Sequence, residues 1–246
     1  MRPIMHQYLF FIGNFPIRLY GIFFSLGIIS GCITAYFLLK KDRRGWESHM
    51  FDLGLVIAFA GIVGGRLWDV FFFDWEYYHN HLLEIPYIWQ GGMAIQGGII
   101  FACIAAYFYL KKHQIPVLPF ADTVTPGIIL GQAIGRIANF MNGDAFGHPT
   151  GQDFGLLYPD TTLAYHTYGA QPLWPAEVWE CQGDLLIFVL LLWYGCKTRA
   201  EGTTFCLYIM FYSLLRFFLE NYRGDYGTLA LGLKSAQLTS LAAFAG

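Results

Sequence analysis

Three arginines, Arg66, Arg136 and Arg216, stand in apolar stretches that ordinarily exclude charge. A guanidinium stays cationic at any relevant pH, and at a bilayer centre it costs at least about 2.5–3.5 kcal/mol. Arg136 is the sharpest case. The segment Gly135-Arg136-Ile137-Ala138-Asn139-Phe140-Met141-Asn142-Gly143-Asp144-Ala145-Phe146-Gly147 adds two asparagines and an aspartate to the same apolar run. Its neighbours are neutral amides, which leave the cation to an external anion, and a guanidinium matches phosphate through two parallel hydrogen bonds. Arg66 has Asp69 one turn away and Arg216 has Glu220 at i+4, so a buried ion-pair network is the alternative there. The chemistry open to this set is the binding of an anion within a membrane and the stabilisation of charge building up on it.

Other reactive types are weaker candidates. His79, His81, His148 and His166 read as surface or capping residues. Cys32, Cys103, Cys181, Cys196 and Cys206 fall in or beside apolar runs without metal-ligand spacing, and read as small packing residues. No Gly-x-Ser-x-Gly elbow, His-Glu-x-x-His or Walker loop occurs, which argues against hydrolase and nucleotide-driven pump readings.

The elements that must position the arginines are membrane helices. Of the 246 residues 56% are hydrophobic and 13% charged, half the charged share of an ordinary soluble domain, which is about 25%. The net charge of −2 gives no reason to expect a nucleic-acid partner. Runs able to cross about 30 Å of hydrocarbon occur at 17–39, 51–73, 92–110, 120–141, 179–196 and 203–220. The expected fold is therefore an all-α polytopic bundle of six helices, with a possible incomplete seventh from Ser235. The first run lacks a cleavable leader pattern and is read as retained. Lys40-Lys41-Asp42-Arg43-Arg44, Lys111-Lys112, and Lys197 with Arg199 put the basic loops in the cytoplasm and the N-terminus outside. Residues 142–178, rich in Gly, Pro and aromatics, read as an outer cap within a single membrane domain covering 1–246. With this topology Arg66, Arg136, Arg216, Tyr20 and Gln96 all fall in the outer half of the bilayer, where they could line one cavity. Gly91-Gly92 and Gly97-Gly98 around Gln96 suggest close helix packing, or a distorted helix start that turns N–H groups towards a ligand.

The segment from Gly135 to Gly147 resembles the signature of the bacterial prolipoprotein diacylglyceryl transferases. Further stretches resemble that family in the same order: Leu19-Tyr20-Gly21, Gly64-Gly65-Arg66, Gly91 to Gly98, Pro175-Ala176-Glu177, Arg216-Phe217-Phe218-Leu219-Glu220 and Ser235 to Ser240. The resemblance implies a multi-pass enzyme of the bacterial cytoplasmic (inner) membrane with no cofactor and no metal. It would move the diacylglyceryl group of phosphatidylglycerol to the lipobox cysteine in the signal peptide of a prolipoprotein, releasing glycerol phosphate. It implies catalytic roles for Arg136, Arg216, Tyr20 and the position of Gln96. Arg136, Asn139, Asn142, Asp144, Gly147, Arg66, Glu220, Gly97 and Gly98 would bind substrate. Departures from the family pattern are specific. Gln96 stands where the family has histidine and cannot take a proton, Asp144 replaces a glutamate, and Trp174 stands where a second histidine is usual. Glu177, Asp144 and His148 are then the candidate bases, unless cations let the thiol ionise unaided. Two other readings stay open: a diverged, lipid-binding member with another acceptor or no activity, and an anion transporter. The apolar inner halves of the helices argue against the transporter.

Overall fold

A computed structural model describes residues 5, 7–13, 15–195, 200–225 and 234–245. Cys196, Lys197, Arg199 and Gly246 lie outside them, so the basic charge expected after the fifth run is not described. The chain opens on an antiparallel hairpin of β1 (Tyr8–Ile12) and β2 (Phe15–Arg18), with Tyr8 opposite Arg18 and Phe11 opposite Pro16. Strands of four and five residues are too short for their alternation to stand out in an apolar chain. Every longer element is helical, as expected. The helix α1 (Leu19–Asp42) follows the hairpin directly, and Lys40 and Lys41 suit the negative end of its dipole. α2 (Met50–Trp68) runs on into a π-helical turn, Asp69–Phe73, and α3 (Trp75–Tyr78) is a single turn. α4 (Ile95–Lys112), α5 (Val117–Asn142), α6 (Leu163–Tyr168), α7 (Ala176–Gly195), α8 (Thr203–Leu219) and α9 (Ser235–Ala245) complete the order.

Among the described residues, four stretches are long and apolar enough to cross a membrane: Leu19–Asp42, Trp46–Phe73, Val117–Asn142 and Thr203–Tyr222. The other two long helices are diluted by polar residues, α4 by Gln96, Lys111 and Lys112, and α7 by Glu177, Glu180 and Asp184. Large apolar side chains on these helices stay uncovered, Leu55 and Phe59 at 72% exposure each, as lipid-facing surfaces require.

The chain divides into two compact units, residues 39–120 and residues 1–38 with 121–246. In the first, α2 meets α4 along glycines. A Cβ on Gly97 would lie 2.2 Å from the Gly64 carbonyl oxygen, and one on Gly64 2.5 Å from that of Gly97. Gly97 and Gly98 therefore serve close packing inside a regular helix, while Gly91 and Gly92, at φ 96° and 73°, form the turn before it. In the second unit α1 and α5 meet along another glycine seam, Gly27 and Gly31 against Gly131 and Gly127. The segment between α5 and α7 has its own apolar centre, Phe146, Tyr158, Ala164 and Leu173, joined by Met5.

Candidate active site

Helix α7 buries one face from end to end: Glu177, Glu180, Asp184, Ile187 and Leu191. These positions recur at the spacing of a single helical stripe, so the aliphatic half that packs on Ile129 continues as an acidic half. Buried carboxylates require cations or hydrogen bonds. Glu180 finds three arginines. Arg136, from α5, reaches its Oε2 at 2.9 Å, Arg216, from α8, bonds to its Oε1, and Arg223, just beyond α8, lies 3.4 Å from its Oε2. Arg216 also holds Glu220 at 2.7 Å, and Arg223 holds Asp225. Arg136 donates further to the Tyr212 hydroxyl at 3.3 Å.

This corrects the sequence expectation that Arg136 is left unpaired. Its partner comes from another helix, and spacing within α5 carries no trace of it. The Arg216–Glu220 pair, by contrast, joins the last turn of α8 to the residue that follows it, and is present as the alternative reading had it. Exposure grades the cluster. Glu180 and Arg223 keep 3% and 4% of their side chains accessible, but Arg136 and Arg216 keep 18% and 14%. The side chains of Arg136 and Arg216 are thus partly accessible, and that of the glutamate that fixes them is not.

The end of α5 is tied down tightly. Asn139 and Asn142 donate their amides to the two oxygens of Asp144, at 2.7 and 2.8 Å. Gly143 at φ 72° and Ala145 at φ 59° bend the chain sharply around that aspartate. A non-glycine residue held in the left-handed region stores about 1 kcal/mol and marks a constrained site. Gly147 then passes so close to Trp174 that a Cβ would lie 2.2 Å from its carbonyl oxygen, and it bridges to Arg223. That contact delivers Arg223 to Glu180. Tyr20, in the first turn of α1, lies within electrostatic reach of Asp144 and Arg136. Its helix start is anchored through Gln7, which accepts from the Leu19 N–H at 2.9 Å and donates to the Asn142 carbonyl at 3.0 Å.

Arg66 belongs to the other unit and is 3% exposed. Its donors go to the carbonyls of Ile85 at 2.7 Å, Gly91 at 2.6 Å, Gly92 at 2.9 Å and Glu84 at 3.2 Å. Asp69 is 3.9 Å away and the Tyr78 ring centroid 4.8 Å. Arg66 is the anchor of the 84–92 loop, which leads to Gln96, exposed in the first turn of α4. Of the candidate bases, Glu177 is fully buried and accepts from the Tyr158 hydroxyl, Asp144 takes two amides, and His148 places Nδ1 3.0 Å from the Pro149 carbonyl. Glu180, Asp184 and Arg223 carry the site's electrostatics and had no place in the sequence-based set. The stripe on α7 was the available signal for the two acids.

Apolar spans and a buried cluster of arginines around Glu180 define an integral membrane protein with a charged site among its helices. The family model described as prolipoprotein diacylglyceryl transferase matches residues 7–246. Relatives that carry the description phosphatidylglycerol--prolipoprotein diacylglyceryl transferase align over almost the whole chain. That of Clostridium botulinum (strain Langeland) is 35% identical over 238 residues, covering 96% of this chain and 92% of the relative. Those of Staphylococcus saprophyticus and Geobacillus kaustophilus are each 36% identical, over 94% of this chain and 83% and 85% of their own. The chain belongs to the prolipoprotein diacylglyceryl transferase family, and it is a transferase.

Proposed function

We propose that this chain moves the diacylglyceryl group of phosphatidylglycerol to the thiol of the lipobox cysteine in a prolipoprotein signal peptide. The sulfur attacks the glyceryl carbon that bears the phosphate ester. A C–S bond forms, the C–O bond breaks, and its electron pair leaves on the phosphate oxygen as glycerol phosphate. Negative charge grows on the phosphate along this path, so cations fixed beside it bind the transition state more tightly than the lipid. The observation that carries this reading is the pairing of the partly accessible Arg136 and Arg216 with one buried carboxylate, Glu180. Tyr20, Asn139 and Asn142, with Asp144 as their acceptor and Gly147 at the end of the motif, supply the surrounding hydrogen-bonding frame. Glu220 holds Arg216, and Gly97 and Gly98 let α4 pack while Arg66 fixes the loop before Gln96.

The same cations lower the pKa of a thiol brought beside them, which makes a dedicated base unnecessary. The engagement of Asp144 and Glu177 in hydrogen bonds, and the untitratable amide at Gln96, favour this route. The thiol proton then leaves to water at the membrane surface.

The setting we propose is one bacterial cytoplasmic-membrane domain with α4 and α7 as two further spans and α9 as part of a seventh. The N-terminus and the 142–178 cap would lie outside and the site in the outer half of the bilayer. Lysines at the ends of α1 and α4 support that orientation.

Purified protein, phosphatidylglycerol and a lipobox peptide should yield the thioether, and Arg136→Ala should lower the rate by roughly a hundredfold or more. No product from folded protein would overturn transfer. The reading as a lipid-binding member with another acceptor, favoured by Gln96, would then stand. Gln96→His separates the routes to the thiolate: a higher rate means a base is missing, an unchanged one that the cations suffice.

A further inference from the structure

Asp122 is a buried carboxylate on α5, 5% exposed and far along the helix from Arg136. Both of its oxygens accept from the start of α8. Oδ2 takes the Gly202 N–H at 2.6 Å and Oδ1 the Phe205 N–H at 2.9 Å. The first N–H groups of a helix have no partner inside it, and the residue before α8 is Gly202, at φ 86° with no side chain to offer. Asp122 does from a neighbouring helix what an N-cap residue does from its own, and its charge suits the positive end of the α8 dipole.

The consequence lies at the opposite end of both helices. Arg136 stands 14 residues beyond Asp122, and Arg216 stands 14 residues beyond Gly202. At 1.5 Å per residue each helix climbs about 21 Å from that joint. Helices joined level and climbing equally bring their arginines level, and both arginines end on Glu180. A slip of one residue would shift Arg216 by about 1.5 Å and turn it by about 100°. The joint also steadies α5. Pro126 cannot donate to the Asp122 carbonyl one turn back, and Thr125 turns its hydroxyl to the Ala121 carbonyl at 2.6 Å.

We infer that Asp122 is a positioning residue for the transfer reaction, setting the height of Arg216 against Arg136 by capping α8 from α5. The inference rests on the reading in which those two arginines hold the lipid phosphate.

Asp122→Ala removes both acceptors, and Asp122→Asn keeps one without the charge. Transfer is assayed per folded protein in detergent with phosphatidylglycerol and a lipobox peptide. The expected result is a kcat lowered roughly ten- to hundredfold by alanine and less by asparagine. The KM for phosphatidylglycerol should rise while that for the peptide stays constant. A merely structural role would lower the yield of folded enzyme and leave both KM values alone, and that outcome overturns the inference. A second arm uses Arg216→Lys, in which the guanidinium to be positioned is already gone. There Asp122→Asn should add less than a twofold loss, and a full multiplicative loss overturns the inference. If Asp122→Ala does not fold, Asp122→Asn and Asp122→Ser carry the kinetic arm. Full activity in Arg136→Ala and Arg216→Lys would sink the phosphate reading itself. Impaired arginine variants beside wild-type Asp122→Asn and Asp122→Ser sink only the positioning role.

Discussion

Arg223 and Glu180 face each other at 3.4 Å with 4% and 3% of their side chains exposed, beneath the more accessible Arg136 and Arg216. Neither side chain is open to solvent, so each helps to compensate the other's charge. Arg223 gives Glu180 a buried partner that would remain under the proposed function, in which Arg136 and Arg216 turn to a phosphate. Asp225 holds the far side of the Arg223 guanidinium, and the Arg223 carbonyl accepts from Lys234, which leads into α9.

Removing Arg223 therefore costs more than a surface arginine would. Arg223→Ala strands Asp225, leaves Glu180 with two of its three arginines, and should destabilise the protein by roughly 3–5 kcal/mol, the usual cost of breaking a buried pair. Thermal unfolding in detergent measures it. A shift no larger than that of Arg44→Ala, an exposed arginine paired with Asp42, would show that Glu180 needs only its other two partners.

Tyr158 and Glu177 offer a neutral counterpart. Glu177 is fully buried, its Oε1 accepts from the Tyr158 hydroxyl, and its Oε2 has no hydrogen-bond partner among the described residues. Tyr158→Phe leaves that carboxyl without its donor and should cost about 1–3 kcal/mol. Burial, then the neighbouring Glu177, pushes the Tyr158 hydroxyl above its ordinary range, so it stays protonated. A group whose folded pKa is raised contributes in full below its unfolded pKa, about 10 for tyrosine. The difference between wild type and Tyr158→Phe from tyrosine ionisation should therefore stay constant from about pH 6 to 9. A phenolate absorbance that appeared in the wild type below about pH 9 and was missing from the Phe protein would mean the hydroxyl ionises there.

The two arginines and the runs around them were legible in the sequence because hydropathy is local. A charge in twenty apolar residues stands out, and all six apolar runs appear as helices, α1, α2, α4, α5, α7 and α8, within a few residues of their expected bounds. Arg216–Glu220 was legible for the same reason, since i+4 is a local relation. Glu180 was not, because its partners come from two other helices and the loop after α8. Arg223 stands beyond the last of the six apolar runs, and its bridge with Gly147 and its contact with Glu180 place it in the cluster. The stripe of Glu177, Glu180, Asp184, Ile187 and Leu191 could have exposed α7. Acids on the aliphatic face of a helix call for cations or hydrogen-bond donors from elsewhere.

Arg66 supports a loop where Arg136 and Arg216 meet an acid. One guanidinium satisfies carbonyls at Glu84, Ile85, Gly91 and Gly92, in directions that only a planar fork of five donors covers. Arg66→Lys keeps the charge but, as a point donor, should release part of the loop. Hydrogen exchange across residues 84–92 should accelerate, and stability should fall by on the order of 2–3 kcal/mol. Unchanged exchange in Arg66→Lys would show that charge, and not the fork, holds the loop.

Gly127 tests how closely α1 and α5 must approach. A Cβ there would lie 2.4 Å from the Gly31 carbonyl oxygen and 3.1 Å from the Ala35 nitrogen, both backbone atoms that cannot swing aside. Gly127→Ala therefore has to part the helices, at a cost of about 1–3 kcal/mol for overpacking. The effect reaches the site because α1 carries Tyr20 in its first turn and α5 carries Arg136 in its last third. Parting the helices displaces one against the other, and a displacement of about 1 Å can lower a rate by up to a hundredfold. Gly127→Ala should lower the transfer rate per folded molecule as well as the unfolding temperature. Gly127→Val should lower both further. If Gly127→Ala unfolds earlier but turns over at the wild-type rate, the seam serves stability alone and the placement of Tyr20 against Arg136 does not depend on it.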